Sequence, residues 1–220
     1  MLGRRIALAF SSTRWRYCAA RLARLKFFDR HLAGRNLMRF LETKFCDAWL
    51  IEPERVHDDR GYLARTFCNR ELKQRGLETA FVQHSRSLSA KAGTLRGMHY
   101  QLPPHAEVKL VSCYSGAIWD VIVDLRRASR TYREWQAFEL SAENGRQLYI
   151  PAGFAHGFQA LSNDAGVNYL ISSYYEPTAS TGIPYDDPAV GIEWPLPVTA
   201  ISERDLSWAP LASREPAPVP

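Results

Sequence analysis

Two segments of this 220-residue sequence place ionisable side chains inside otherwise apolar, strand-like patterns, and these are the residues whose types and spacing could do chemistry. The first is Gly93-Thr94-Leu95-Arg96-Gly97-Met98-His99-Tyr100-Gln101, followed by Lys109. The second is Gly145, then Pro151-Ala152-Gly153-Phe154-Ala155-His156-Gly157-Phe158. A neutral imidazole beside a fixed cation suits proton abstraction next to a carbonyl: the ring takes the carbon-bound proton while the ammonium stabilises the enolate oxygen. Taken singly, His99 reads equally well as a hydrogen-bonded core histidine and Lys109 as a snorkelling side chain. Arg96, three residues before His99, shifts the balance towards a pocket. Strict alternation puts residues three apart on opposite faces of a strand, so either one of the two lies across the pleat or the strand bends between them.

The spacing of the two segments resembles the two motifs of cupins, double-stranded β-helix barrels with an interior active site. Gly93 and Gly145 open the motifs, Pro151 and Gly153 make a tight corner, and His99 and His156 fall at ligand-like positions. A metal-binding cupin would offer a His-x-His pair and a Glu converging on one ion. Here Gln101 takes the second His position, and Lys109 falls where the Glu is expected. An ammonium cannot ligate a cation and repels it, so the expectation is a pocket with a built-in positive charge and no functional metal.

The elements that must position these residues are short strands separated by turn residues from Met38 onward, the pattern of an all-β barrel or sandwich with a few short helices. Leu110–Tyr114 and Ala117–Leu125 flank Ser115-Gly116 and read as a hairpin. Gln136–Leu140 and Gln147–Ile150 read as a second pair around Ala142-Glu143-Asn144-Gly145. Phe158–Leu161 and Val167–Ser172 read as a third around Asn163-Asp164-Ala165-Gly166, giving a meander. Pro177, Pro184, Pro188, Pro195 and Pro197 exclude regular central strands, so the following stretch should wrap the barrel as extended loop. Ser202-Glu203-Arg204-Asp205 can cap a short helix, and the residues from Pro210 on should fray.

Composition narrows the function classes. At 46% hydrophobic and 12% aromatic residues the chain can bury one core. Residues 1–36 hold nine Lys/Arg against the single acid Asp29, a net of +8, which leaves −3 for the rest of a chain whose total is +5. A slightly acidic body without a Lys/Arg stripe gives no footprint for nucleic acid. No apolar run approaches the ~20 residues of a membrane span. Cys18, Cys46, Cys68 and Cys113 show neither zinc nor disulfide spacing and fit a reducing cytoplasm. The basic leader, residues 1–37, has three readings: a transit peptide, a faint secretion signal with too short an apolar stretch, or an appendage to a domain that opens at Met38. The expected organisation is therefore leader, a domain over residues 38–211, and a Pro-rich tail over 212–220.

Several segments together resemble the dTDP-4-dehydrorhamnose 3,5-epimerase family. They are Leu95–Gln101, Gly116–Arg126 with Asp120-Val121 and Val123-Asp124-Leu125-Arg126, Leu140–Asn144, Ile150–Phe158, Tyr174-Tyr175-Glu176-Pro177, Asp186-Asp187-Pro188 and Gly191-Ile192-Glu193-Trp194-Pro195. The resemblance spans roughly Met38 to Leu211 and implies a cupin jelly-roll acting on a sugar nucleotide without a cofactor. It implies that His99 removes the protons beside the C4 ketone at C3 and C5, that Asp205 holds His99, that Tyr169 returns a proton from the opposite face as an unperturbed phenol, and that Lys109 stabilises the enolate. Arg96 and Arg60 would bind the diphosphate, with Gln83, His156 and Tyr175 as further substrate contacts. In the family the Arg60 segment reaches into a partner subunit, so a homodimer is implied. The sequence departs from the family pattern at Leu63, Arg65, Leu170 and Ser180, positions that bear on the base and the exact sugar rather than on the reaction type. Epimerisation at C3 alone, another sugar nucleotide, or a non-catalytic binding module are the alternatives.

Overall fold

The computed structural model describes residues 37–213. Two antiparallel sheets face each other. One has six strands in the order β1 (Met38–Glu42), β2 (Trp49–Pro53), β10 (Gln147–Ile150), β7 (Lys109–Ser115), β12 (Ala165–Ile171), β5 (Gln83–Ser89). The other has five, in the order β13 (Ser180–Gly182), β6 (Leu95–Gln101), β11 (Phe154–Ala160), β8 (Ala117–Asp124), β9 (Trp135–Ser141). A separate two-stranded ribbon joins β3 (Arg55–Asp58) to β4 (Gly61–Ala64). The all-β, cupin-like jelly-roll expected from the sequence is what forms.

The local pairings differ from the expected meander. β7 lies in the six-stranded sheet and β8 in the five-stranded one; β9 and β10 are split in the same way, and so are β11 and β12. The three expected hairpins are therefore corners that carry the chain from one sheet to the other. Gly116 shows why the local signal misleads. It has φ +64, and a Cβ there would sit 2.1 Å from Ser162 Oγ, so the position demands glycine as a hairpin turn would, yet the strands it joins diverge. Corner and hairpin need the same turn chemistry, and only long-range pairing separates them.

That pairing rests on three apolar layers. Between the sheets, Val111, Ile118, Ile122, Leu140, Leu148, Ile150, Phe158 and Val167 form the central core. On the outer face of the five-stranded sheet, Val121, Val123 and Ala155 are covered by Ile183, Ile192 and Leu211 from the C-terminal wrap. Strands β8 and β11 are thus buried on both faces, which is why they read as nearly unbroken apolar runs. On the outer face of the six-stranded sheet, Leu72 of α1 (Asn69–Lys73) packs with Met38, Ile51, Leu110 and Tyr149. Each such fully buried aliphatic side chain contributes about 1.5–3 kcal/mol. Leu170 joins this outer layer, so its departure from the family pattern does not touch the interior.

The Pro-rich wrap is mostly extended, as expected, and among the described residues it contributes β13, one parallel bridge between Thr94 and Ala200, the short α2 (Glu203–Leu206) and a final 3-10 turn. Ser202 caps α2 by accepting a 3.1 Å bond from the Asp205 N–H. Order continues beyond the expected fraying point: Leu211 is buried, its N–H donates to Asp187 Oδ2 at 2.7 Å, and Leu211–Ser213 forms a 3-10 turn. An apolar anchor outweighs the Pro content there. The readings of the leader, and of the tail after Ser213, lie outside the described residues. Among the described residues no helix is long and apolar enough to cross a membrane.

Candidate active site

A cavity of about 630 Å³ opens between the sheets beside the central core. Strands β6 and β11 form one wall and β5, β7 and β12 the other, while α2 and the loop after β12 close the rim. Of the nine expected site residues, eight line it: Gln83, Arg96, His99, Lys109, His156, Tyr169, Tyr175 and Asp205. Arg60 does not. It sits at the exposed tip of the β3–β4 ribbon, where its guanidinium and N–H bond Asp58, away from the cavity of its own chain.

A bulge sets the orientation of the β6 wall. His156 pairs with His99 and Phe158 with Arg96, so two steps along β11 match three along β6. The extra residue is absorbed at Gly97, which has φ +146 and lies so close to β11 that a Cβ would come 2.5 Å from Gly157 Cα. The strand bends there, as the three-residue spacing requires, and both Arg96 and His99 line the cavity.

His99 is 40% exposed, whereas Asp205, which bonds its Nε2 at 2.6 Å, is 6% exposed. The second Asp205 oxygen accepts the Gly97 N–H at 3.3 Å. Burial pushes the Asp205 carboxyl up, but the bond and charge of His99 and the Gly97 N–H outweigh it and hold the group below its ordinary value. With the carboxylate accepting Nε2–H, the neutral form of the ring has Nδ1 as its proton acceptor.

The opposite wall supplies Lys109 and Tyr169. The Lys109 ammonium donates to Glu107 Oε1 at 3.0 Å and to the His99 carbonyl at 3.3 Å. The Tyr169 hydroxyl bonds Ser87 Oγ at 2.9 Å. Its pKa is not that of a free phenol: burial drives it well above the ordinary value, and the Ser87 bond and the Arg96 charge only partly offset this. The phenol holds its proton at neutral pH more firmly than expected from the sequence.

A second His–Asp pair lies on the β11 wall, where His156 Nε2 is 2.6 Å from Asp120 Oδ1 and both side chains are buried. The His156 ring meets that of Tyr169 edge-on, with centroids 6.3 Å apart. At the rim, Gln83 Oε1 accepts the Tyr175 N–H at 2.7 Å. Arg204 donates to the Tyr175 hydroxyl at 3.3 Å and to Ser180 Oγ at 2.8 Å, and its bond and charge hold the Tyr175 phenol below its ordinary pKa. Arg96 likewise spends its guanidinium on Ser89 Oγ and the Leu88 carbonyl. Among the described residues neither Arg96 nor Arg204 has a carboxylate partner, so the cavity carries positive charge suited to an anion.

Sequence reasoning missed Ser87, Glu107, Asp120 and Arg204. Asp120 was signalled as an acid inside the apolar run Ala117–Leu125, and Glu107 as an acid one alternation step before Lys109. Ser87 and Arg204 carried no comparable signal, because Ser180 and Tyr175 meet Arg204 only through the folded wrap. Of the departures, Ser180 lines the cavity, whereas Leu63 is exposed and Arg65 pairs with Glu71 at 3.4 Å outside it. As for metal ligation, the Gln101 amide is committed to the His105 and Tyr174 carbonyls and the Glu176 N–H. No group of three or more His, Cys, Asp or Glu is placed to hold an ion among the described residues.

The arrangement combines an aimed imidazole on one sheet, a protonated phenol and an ammonium on the other, and cationic groups for an anionic ligand. The family described as dTDP-4-dehydrorhamnose 3,5-epimerase matches residues 42–213. A protein of that name from Methanothermobacter thermautotrophicus is 47% identical over 176 residues, covering 79% of this chain and 94% of the relative. The crystal structure of the Bacillus anthracis protein of that name, with TDP and PPi bound, superposes with TM-score 0.77 at 41% identity over 79% of this chain and 99% of that one. A 3'-monoepimerase from Streptomyces bikiniensis in complex with dTDP-quinovose superposes with TM-score 0.73 at 33% identity over 77% and 86%.

Proposed function

The chain belongs to the dTDP-4-dehydrorhamnose 3,5-epimerase family, and from that premise we propose that its cavity binds dTDP-4-dehydro-6-deoxy-D-glucose and inverts C3 and C5 to give dTDP-4-dehydro-L-rhamnose. The protein is an isomerase. The C4 ketone acidifies the hydrogens on its two neighbouring carbons, and an imidazole with a free Nδ1 is a competent base for both. Asp205 keeps that nitrogen available and stabilises the imidazolium once it forms. As the carbon–hydrogen pair becomes an enolate, charge moves to the C4 oxygen, where the Lys109 ammonium receives it. Inversion requires the new proton to arrive on the other face. Tyr169 delivers it, then regains a proton from solvent while His99 releases one.

One observation carries this reading: His99 stands on the five-stranded sheet and Tyr169 on the six-stranded sheet, so base and acid confront each other across one cavity. Arg96 supports a diphosphate contact, and Gln83, His156 and Tyr175 complete the substrate contacts. Arg60 serves the site of a partner subunit in a homodimer. Its exposed position on a separate ribbon, outside the lining of its own chain's cavity, supports that assignment.

Purified protein given dTDP-4-dehydro-6-deoxy-D-glucose and a nicotinamide-dependent reductase that accepts only the doubly inverted ketone should oxidise the nicotinamide. Absence of turnover, with the substrate consumed by neither one nor two inversions, would refute the assignment. Accumulation of a product inverted at C3 alone would instead match the monoepimerase that this chain also resembles.

A further inference from the structure

The role given to Lys109 leaves its neighbour Glu107 unexplained. Glu107 lines the cavity, its side chain is 6% exposed, and one of its oxygens holds the Lys109 ammonium at 3.0 Å. Its other oxygen, Oε2, is buried and has no hydrogen-bond partner. A half-satisfied buried carboxylate is a poor device for stability, because the unpaired oxygen keeps its desolvation cost. Its value must lie in what the satisfied oxygen does.

An ammonium has three donors. On Lys109 two are committed, one to Glu107 Oε1 and one to the backbone carbonyl of His99. The third remains for the cavity. Four flexible carbons would otherwise let the head group wander, so the two acceptors convert a mobile charge into a directed one. The second acceptor belongs to the residue that carries the base, which ties the position of the charge to that of the imidazole.

We propose that Glu107 is a positioning residue that fixes the Lys109 ammonium so that its remaining donor meets the developing enolate oxygen. The inference rests on the enolate-stabilising role of Lys109 given above. It makes Glu107 act through Lys109 and on the transition state rather than on substrate binding.

The test is a double-mutant cycle on the full chain with Lys109→Ala, Glu107→Ala and both together, with kcat and KM measured for each and folding followed by thermal unfolding. Glu107→Ala should lower kcat about 10- to 100-fold, the scale of a misplaced catalytic group, while KM moves by less than about threefold. The double variant should be no slower than Lys109→Ala alone. Glu107→Gln, whose amide oxygen can accept the same bond, should stay within about threefold of the unaltered enzyme, and it carries the test if Glu107→Ala does not fold. Additive losses in the double variant, or a Glu107→Gln enzyme as slow as Lys109→Ala, would overturn the proposal. A fully active Lys109→Ala enzyme would overturn the role of Lys109 itself, an outcome distinct from additivity.

Discussion

His99 and Asp205 show how much of the proposed base is made by its neighbour. Imidazole alone offers two nitrogens in exchangeable tautomers; a buried carboxylate at 2.6 Å from Nε2 selects one of them. Asp205→Asn keeps the shape but can present an amide N–H to Nε2, which favours the wrong tautomer. We expect kcat to fall about 10²- to 10⁴-fold with KM little changed, measured by the coupled reductase assay. An unchanged kcat would mean that Asp205 only supports the wrap. Tyr169 makes the complementary point: the residue was legible in the sequence, but its environment was not. Burial opposite Ser87, which no local pattern announces, is what raises its pKa. Residue types and spacings identified His99, Lys109 and Arg96, whereas Arg204 enters the site through contacts made only after the wrap folds.

At the scale of elements, the β6–β11 crossing decides whether Arg96 and His99 share a wall. Gly97→Ala would place a methyl group 2.5 Å from Gly157 Cα in a backbone conformation that disfavours side chains. A cost of about 3 kcal/mol, or a melting temperature lower by about 6–12 °C, is expected from calorimetry. A second element-level device is the turn after β8. Burial raises the Asp124 pKa, but bonds from Arg126, Ser129 and Thr131 prevail and hold it below the ordinary carboxylate value. Because the folded pKa is the lower one, the stabilisation is present above the unfolded value of about 3.9 and is lost as pH falls through the depressed folded value. Melting temperatures between pH 7 and pH 3 should therefore drop more for the unaltered protein than for Asp124→Asn, and parallel curves would count against this. Strand existence was legible from period and turn residues. Strand partnership was not: Gly116 and Asn144-Gly145 mark corners with the chemistry of hairpins, and only the three apolar layers decide which sheet each strand joins.

At the scale of the whole molecule, the two sheets present opposing chemical surfaces, and the proposed homodimer is the remaining part of the account. If Arg60 completes the partner's site, Arg60→Ala and His99→Ala chains, each with little activity alone, should regain turnover when co-expressed, because one site in each mixed dimer is intact. Failure of the mixture to exceed the sum of its parents would place Arg60 outside the site. The proposed trans contact comes from the family resemblance alone; composition and spacing carry no sign of it, and among the described residues the β3–β4 tip does not line the cavity. The central claim is that His99 and Tyr169 work on opposite faces of one bound sugar. Proton magnetic resonance of dTDP-4-dehydro-6-deoxy-D-glucose in deuterated water tests it most directly. Unaltered enzyme should introduce deuterium at both C3 and C5 and Tyr169→Phe should exchange these positions with little inverted product, whereas His99→Ala should introduce none. Full exchange at both carbons by His99→Ala, or normal inversion by Tyr169→Phe, would contradict the account.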